Sequence, residues 1–180
     1  MGATMHRVGV HRWRAARALI LIACWVTFQA ASQAVRDEDG RYYAENGEPT
    51  YHIAQGGQVD WYTFNGYRRY HAACHMCHGP SGEGSMIAPP LLAPLNAMDY
   101  AGFQDIVIHG LRTVGPAQQR VMRAMGEDQN VVCNLPDIFV YLKARADGAL
   151  GQLRPDNHQP KPAAAALNEA ACREASRPRR

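Results

Sequence analysis

An all-α fold of short helices with irregular extensions at both ends is the class this sequence predicts. Three segments carry the helix signs: a capping residue (Asp60, Asp99 or Asn134) followed by apolar residues at three-four spacing. The stretches between them are too rich in Gly and Pro for a regular element. No internal repeat is present. A length of 180 residues accommodates one domain with extensions.

Residues 1–34 read as an export signal. Arg7, Arg12, Arg14 and Arg17 occur without any acid, the apolar run Ala18 to Phe28 follows, and small residues lead to Ala34. Cleavage is expected after Ala34, with Ser32 three positions before the cut. An uncleaved anchor is the alternative, but an apolar run of 11 residues falls short of the roughly 20 that span a bilayer, so no stable membrane span is expected. A second alternative is lipid attachment at Cys24, because Leu21-Ile22-Ala23-Cys24 is similar to a lipoprotein box. The signal carries 4 of the 19 basic residues, leaving 15 against 16 acids. A near-neutral remainder gives no basis for nucleic-acid binding, and Arg177-Pro178-Arg179-Arg180 reads as a solvated tail.

Residues 35–59 mix charge, Gly and Tyr without helical period and read as an N-terminal arm along the domain. The domain itself is expected at 60–147. From Asp60 the first helix places Trp61, Phe64, Tyr67 and Tyr70 on one face. Gly79 through Leu92 is turn-rich and needs something to wrap around. Asp99 then caps a short helix from Tyr100 to His109, with Phe103, Ile106 and Val107 on its apolar side and Gly110 ending it. Leu111 to Asn134 reads as irregular. The last strong helix begins at Asn134-Leu135-Pro136-Asp137, where a Pro in the first turn costs no hydrogen bond, and ends at Asp147-Gly148. Ile138, Tyr141, Leu142 and Arg145 follow its three-four spacing, so Ile138, Tyr141 and Leu142 are expected in the core. The C-terminal extension, 148–180, is Pro-rich and polar, with one weak helix from Ala163 to Ala171.

Chemistry concentrates at Cys74-His75-Met76-Cys77-His78. A Cys-x-x-Cys-His run is the attachment signature of covalent haem c. Two thiols one helical turn apart reach the two vinyl groups on one edge of the porphyrin, and the adjacent His is directed at the iron. A redox dithiol would want a βαβ context, and a structural zinc site a second ligand pair; neither is present. His78 is therefore the expected axial ligand, with its other ring N–H held by an acceptor such as a backbone carbonyl in the Pro-rich loop. His75 and His71 are expected to face solvent. After loss of Cys24, Cys133 and Cys172 remain. An oxidising compartment favours a disulfide between them, closing a loop that contributes roughly 3 to 4 kcal/mol; two separate thiols are the alternative.

The chain resembles the class I cytochromes c, on Gly66 and Tyr70 ahead of Cys74, Pro89 after His78, and the pair Tyr141-Leu142 in the last helix. The resemblance spans 60–147. It implies three to five short helices around one covalent haem, the first and last helices crossing at Gly66, and the Pro89 carbonyl accepting the His78 N–H. It also implies a methionine as sixth ligand: Met122 by position, then Met125, with His109 as a more distant choice. The family commonly has Pro after that Met, where this chain has Arg123. The strings Val59 to His71, Gly126-Glu127-Asp128 and Tyr141 to Gly151 resemble the cytochromes of bacterial methanol metabolism. That resemblance implies a periplasmic electron carrier, not an enzyme. Its donor would be a quinoprotein alcohol dehydrogenase and its acceptor another cytochrome or a terminal oxidase. A haem subunit of a larger oxidoreductase, or a haem enzyme or gas sensor with an open sixth site, are the alternatives.

Overall fold

The computed structural model describes residues 35–36, 39–115 and 118–175; the expected export signal, Cys24 and the Arg-rich tail lie outside them. Four helices of ten or more residues carry the domain: α1 (Trp61–Ala73), α4 (Tyr100–His109), α6 (Leu135–Ala146) and α7 (Ala163–Ala175). Three single turns, α2 (His75–His78), α3 (Leu92–Leu95) and α5 (Gln129–Val132), link them. No helix among the described residues is long and apolar enough to cross a membrane.

Local chemistry sets the helix boundaries. The Asp60 side chain accepts from the Thr63 N–H at 2.9 Å, and Asp99 accepts from Gly102 at 2.8 Å, each satisfying one of the donors a helix start leaves unpaired. Gly110, at φ +78°, ends α4 in a conformation that side chains rarely adopt. Pro136 sits in the first turn of α6.

The core forms where α1 crosses α6. Ile138, Tyr141 and Leu142 are each no more than 2% exposed, and they pack with Tyr70, Leu95, Phe103, Val107 and Met125. Ile106, expected beside Phe103 and Val107, is half-buried instead. The start of α1 belongs to a second, smaller cluster: Trp61 and Phe64 pack with Val59, Tyr62 and Ala165 of α7. Helix α1 is thus buried on two sides.

Three regions differ from the sequence expectation. The arm contains a small antiparallel sheet, β1 (Val35–Arg36), β2 (Tyr42–Tyr43) and β3 (Pro49–Thr50), in the order β1-β2-β3. The stretch from Leu111, expected to be irregular, forms an antiparallel hairpin, β4 (Leu111–Gly115) and β5 (Gln118–Met122), in which Leu111 pairs with Met122. The weak C-terminal helix extends four residues further, to Ala175, because it has a surface to pack on. Cys172 in α7 forms a disulfide with Cys133 (Cα–Cα 5.7 Å). The preceding segment is stitched to residue 59: the Val59 N–H donates to Asn157, the Gln159 N–H donates to Val59, and the His158 ring stacks on Phe64 at 3.6 Å.

A buried polar set locks the arm to the helix crossing. Arg41 Nη1 donates to Asp137 at 2.6 Å, and Asn65 Nδ2 donates to Asp137 at 2.7 Å and to Asn134 at 2.9 Å. Burial drives the Asp137 carboxyl above its usual range, with Arg41 and Asn65 pulling the other way. On Arg41 burial disfavours the charge, but Asp137 more than offsets it. Half such a pair left alone in the interior costs several kcal/mol, so the arm is bound to the domain by the need to keep both members.

Candidate functional site

Helix α1 delivers the site. It ends at Cys74, whose N–H donates to the Tyr70 carbonyl at 2.8 Å, and the single turn α2 carries His75 to His78. The Cys77 and His78 N–H groups both donate to Cys74 O, at 3.1 and 3.0 Å, so the whole run is one tight turn. Both cysteines are free thiols, Cys74 half-buried and Cys77 exposed. Burial first, then the nearby Cys77 and Asp128, push the Cys74 thiol up to about 11.

His78 is buried, and its Nδ1 lies 3.0 Å from the Pro89 carbonyl oxygen. That bond puts the proton on Nδ1 and leaves Nε2 as the free lone pair, the arrangement a metal-bound imidazole uses. His71 and His75 do not face solvent as expected. Both are half-buried, their rings stack at 5.4 Å, and His71 also lies 4.1 Å from Tyr67 and bonds the Tyr67 carbonyl through Nδ1. The i,i+4 spacing along a nearly continuous helix brings the two together.

Of the four methionines beyond the Cys-His run, Met86 is fully exposed, Met98 and Met122 are half-buried against the core, and Met125 is buried within it. Met122 ends β5, where the close approach of Gly110 holds its backbone: a Cβ on Gly110 would lie 2.6 Å from Met122 O. A cleft of about 730 Å³ opens beside it, lined by Ile108, His109, Arg123, Met125 and Asp128 among others. His109 itself is exposed and bonded to Asp105 at 2.9 Å.

The residues fit a covalent haem. Cys74, Tyr67, Leu91, Met98, Ile108 and Met122 all pack on the core yet stay half-buried, apolar surface of the kind a macrocycle would cover. Cys74 and Cys77 are free thiols that would form the two thioethers, and the Nε2 of His78 is the ring nitrogen that would bind the iron. The haem supplies reversible one-electron chemistry. Cys74 and Cys77 would attach it, and His78, held by the Pro89 carbonyl, would present an oriented imidazole to it.

Two participants were not anticipated from sequence. The Tyr70 hydroxyl donates to Gly79 O, and Arg145 Nε donates to Ser81 O at 3.4 Å, so the loop after His78 is held by both long helices. The signal for Arg145 was its place on the apolar stripe of α6, where a cation has no reason to be unless it is bonded.

No family model matches the chain. It is 48% identical to cytochrome c-553I of Paracoccus denitrificans over 124 residues, 69% of this chain and 55% of the relative. The chain thus spans little more than half the length of that curated relative. It is 33% identical to cytochrome c-555 of Methylococcus capsulatus over 93 residues, 51% of this chain and 69% of the other. The crystal structure of the c-type cytochrome XoxG from Methylobacterium extorquens AM1 superposes with a TM-score of 0.71 at 45% identity, over 79% of this chain and 87% of that one. A Cys-x-x-Cys-His turn that presents a locked imidazole, on a fold shared with a solved c-type cytochrome at this identity, places the chain: it belongs to the class I c-type cytochromes.

Proposed function

We propose that this cytochrome is a soluble periplasmic carrier that accepts single electrons from a quinoprotein alcohol dehydrogenase and passes them to another cytochrome or a terminal oxidase. The observation that carries the reading is the His78–Pro89 pair: an axial imidazole fixed by a backbone carbonyl suits an iron that changes charge without changing ligands. Cys74 and Cys77 hold the haem, and Met122 is the sixth ligand. A thioether favours ferrous iron, so His/Met ligation raises the potential, and burial acts in the same direction. The alcohol dehydrogenase as donor rests on the strings 59–71 and 141–151, which resemble cytochromes of methanol metabolism. Contact with either partner is at the exposed haem edge, through an interface below about 1,200 Å² as redox encounters use.

The competing reading is an open sixth site, as in a haem enzyme or gas sensor; the half-burial of Met122 and the exposed Arg123 after it favour that reading. An absorption spectrum of the ferric holoprotein separates the two. The carrier shows the weak red charge-transfer band of methionine on ferric iron, and its ferrous form does not bind carbon monoxide. Absence of the band together with carbon monoxide binding would overturn the carrier.

A further inference from the structure

The loop from Gly79 to Leu91 carries Pro89 and is bonded to itself. The Gly84 N–H donates to His78 O at 2.8 Å, Leu91 to Gly82 O at 2.8 Å, and Ser85 to Ala88 O at 2.9 Å. Gly79, Gly82 and Gly84 have φ between +79° and +90°, and a Cβ on Gly84 would lie 2.6 Å from the Pro90 nitrogen. The loop is therefore a stiff plate, and its attachment to the helices decides where Pro89 stands.

Two side chains from the long helices make that attachment. Tyr70 reaches Gly79 O from α1. From α6, Arg145 donates through Nε to Ser81 O at 3.4 Å and through Nη1 to Leu150 O at 2.5 Å. The Ser81 N–H in turn donates to the Glu83 carboxylate at 2.7 Å. Arg145 is only 9% exposed and makes no contact ion pair among the described residues; the carboxylate that feels its charge is Glu83, in the same loop. Burying a guanidinium is costly, and carbonyl acceptors on two loops together with the nearby Glu83 carboxylate offset that cost.

We propose that Arg145 is a positioning residue for the axial ligand. It pins the 79–91 loop to α6 so that the Pro89 carbonyl stays on the Nδ1–H of His78, which fixes the orientation of the imidazole. Outer partners of a metal-bound His set its tautomer and basicity. Arg145 acts at one remove, by placing the acceptor. This inference rests on His78 being the iron ligand.

The test is hydrogen exchange of the His78 ring N–H, followed by NMR in the ferrous holoprotein. In Arg145→Met, which keeps the apolar stem and removes the donors, the ring proton is expected to exchange at least tenfold faster while the Val140 amide at the centre of α6 keeps its protection. Arg145→Lys, with a cationic head but no fork, should fall between. An unchanged ring exchange rate in Arg145→Met would overturn the inference, and so would an acceleration matched at Val140, which would mark general loosening. If Arg145→Met fails to accept haem, the same comparison is made on Arg145→Lys. Absence of a haem-shifted His78 ring proton in the wild type would remove the ligand assignment itself, an outcome distinct from the other two.

Discussion

The carbonyl oxygen of Asp137 occupies the space where Gly66 would carry a side chain: a Cβ built on Gly66 lies 1.8 Å from it. The two long helices touch backbone to backbone at that point, and the loop that carries Pro89, the partner of His78, is bonded to both. Gly66→Ala must push α6 away from α1. Overpacked cores ordinarily cost about 1 to 3 kcal/mol, and a clash with backbone belongs at or above the top of that range. Guanidinium denaturation of the holoprotein reads it; a change below 0.5 kcal/mol, within the usual scatter of surface substitutions, would mean that the crossing is not as close as described.

Met122 and Met125 separate by variant. Met122→Ala is expected to abolish the red charge-transfer band and to lower the stability of the holoprotein, because it removes the iron–sulfur bond. Met125→Ala should keep the band and lose about 2 to 5 kcal/mol, the range for deleting a buried Met side chain. The reverse pattern in the ferric spectra would move the sixth ligand to Met125.

How much was legible beforehand follows from the range of the interactions. Asp60 and Asp99 cap over three residues, so a local rule finds them. Ile138, Tyr141 and Leu142 announce their burial by spacing alone. The hairpin was missed because its pairs reach across the chain to Met122 from Leu111, and Gln118-Gln119-Arg120 carries none of the β-branched or aromatic residues that mark a strand. The strands of the arm are two residues each, too short to show a period, and the arm's bond from Arg41 to Asp137 spans 96 positions. At the site, the Cys-His run was plain from spacing. Arg145 was not, since nothing local says which carbonyl a buried cation will find.

The disulfide joins α7 to the core across 39 residues of chain. Loop entropy predicts a contribution of up to about 4 kcal/mol. The double variant Cys133→Ala/Cys172→Ala should therefore unfold at lower denaturant, with an unchanged visible spectrum, since neither cysteine belongs to the Cys74–His78 turn. Equal midpoints for the variant and the oxidised parent would show that packing alone holds α7.

Alkaline pH should unfold the protein through its tyrosines. Burial is the largest cause pushing Tyr62 and Tyr141 up to about 12; the Asp39 carboxylate adds to it for Tyr62, and Arg145 opposes it for Tyr141. The unfolded phenol titrates near ~10. The folded state thus keeps protons that the unfolded state gives up, so this stability is whole below pH ~10 and is lost as pH rises towards about 12. Phenolate absorbance and circular dichroism followed together are expected to change in step for these two residues, and Tyr141→Phe should flatten the decline. Ionisation of both rings well before any loss of helix would contradict their burial.

The most direct test of the carrier role is the reduction kinetics of the purified ferric holoprotein by a quinoprotein alcohol dehydrogenase from the same cell, with alcohol present. The account predicts rapid appearance of the ferrous spectrum, one electron per haem, saturating with dehydrogenase concentration. No reduction under those conditions, with the protein still reducible by a small chemical reductant, would contradict it.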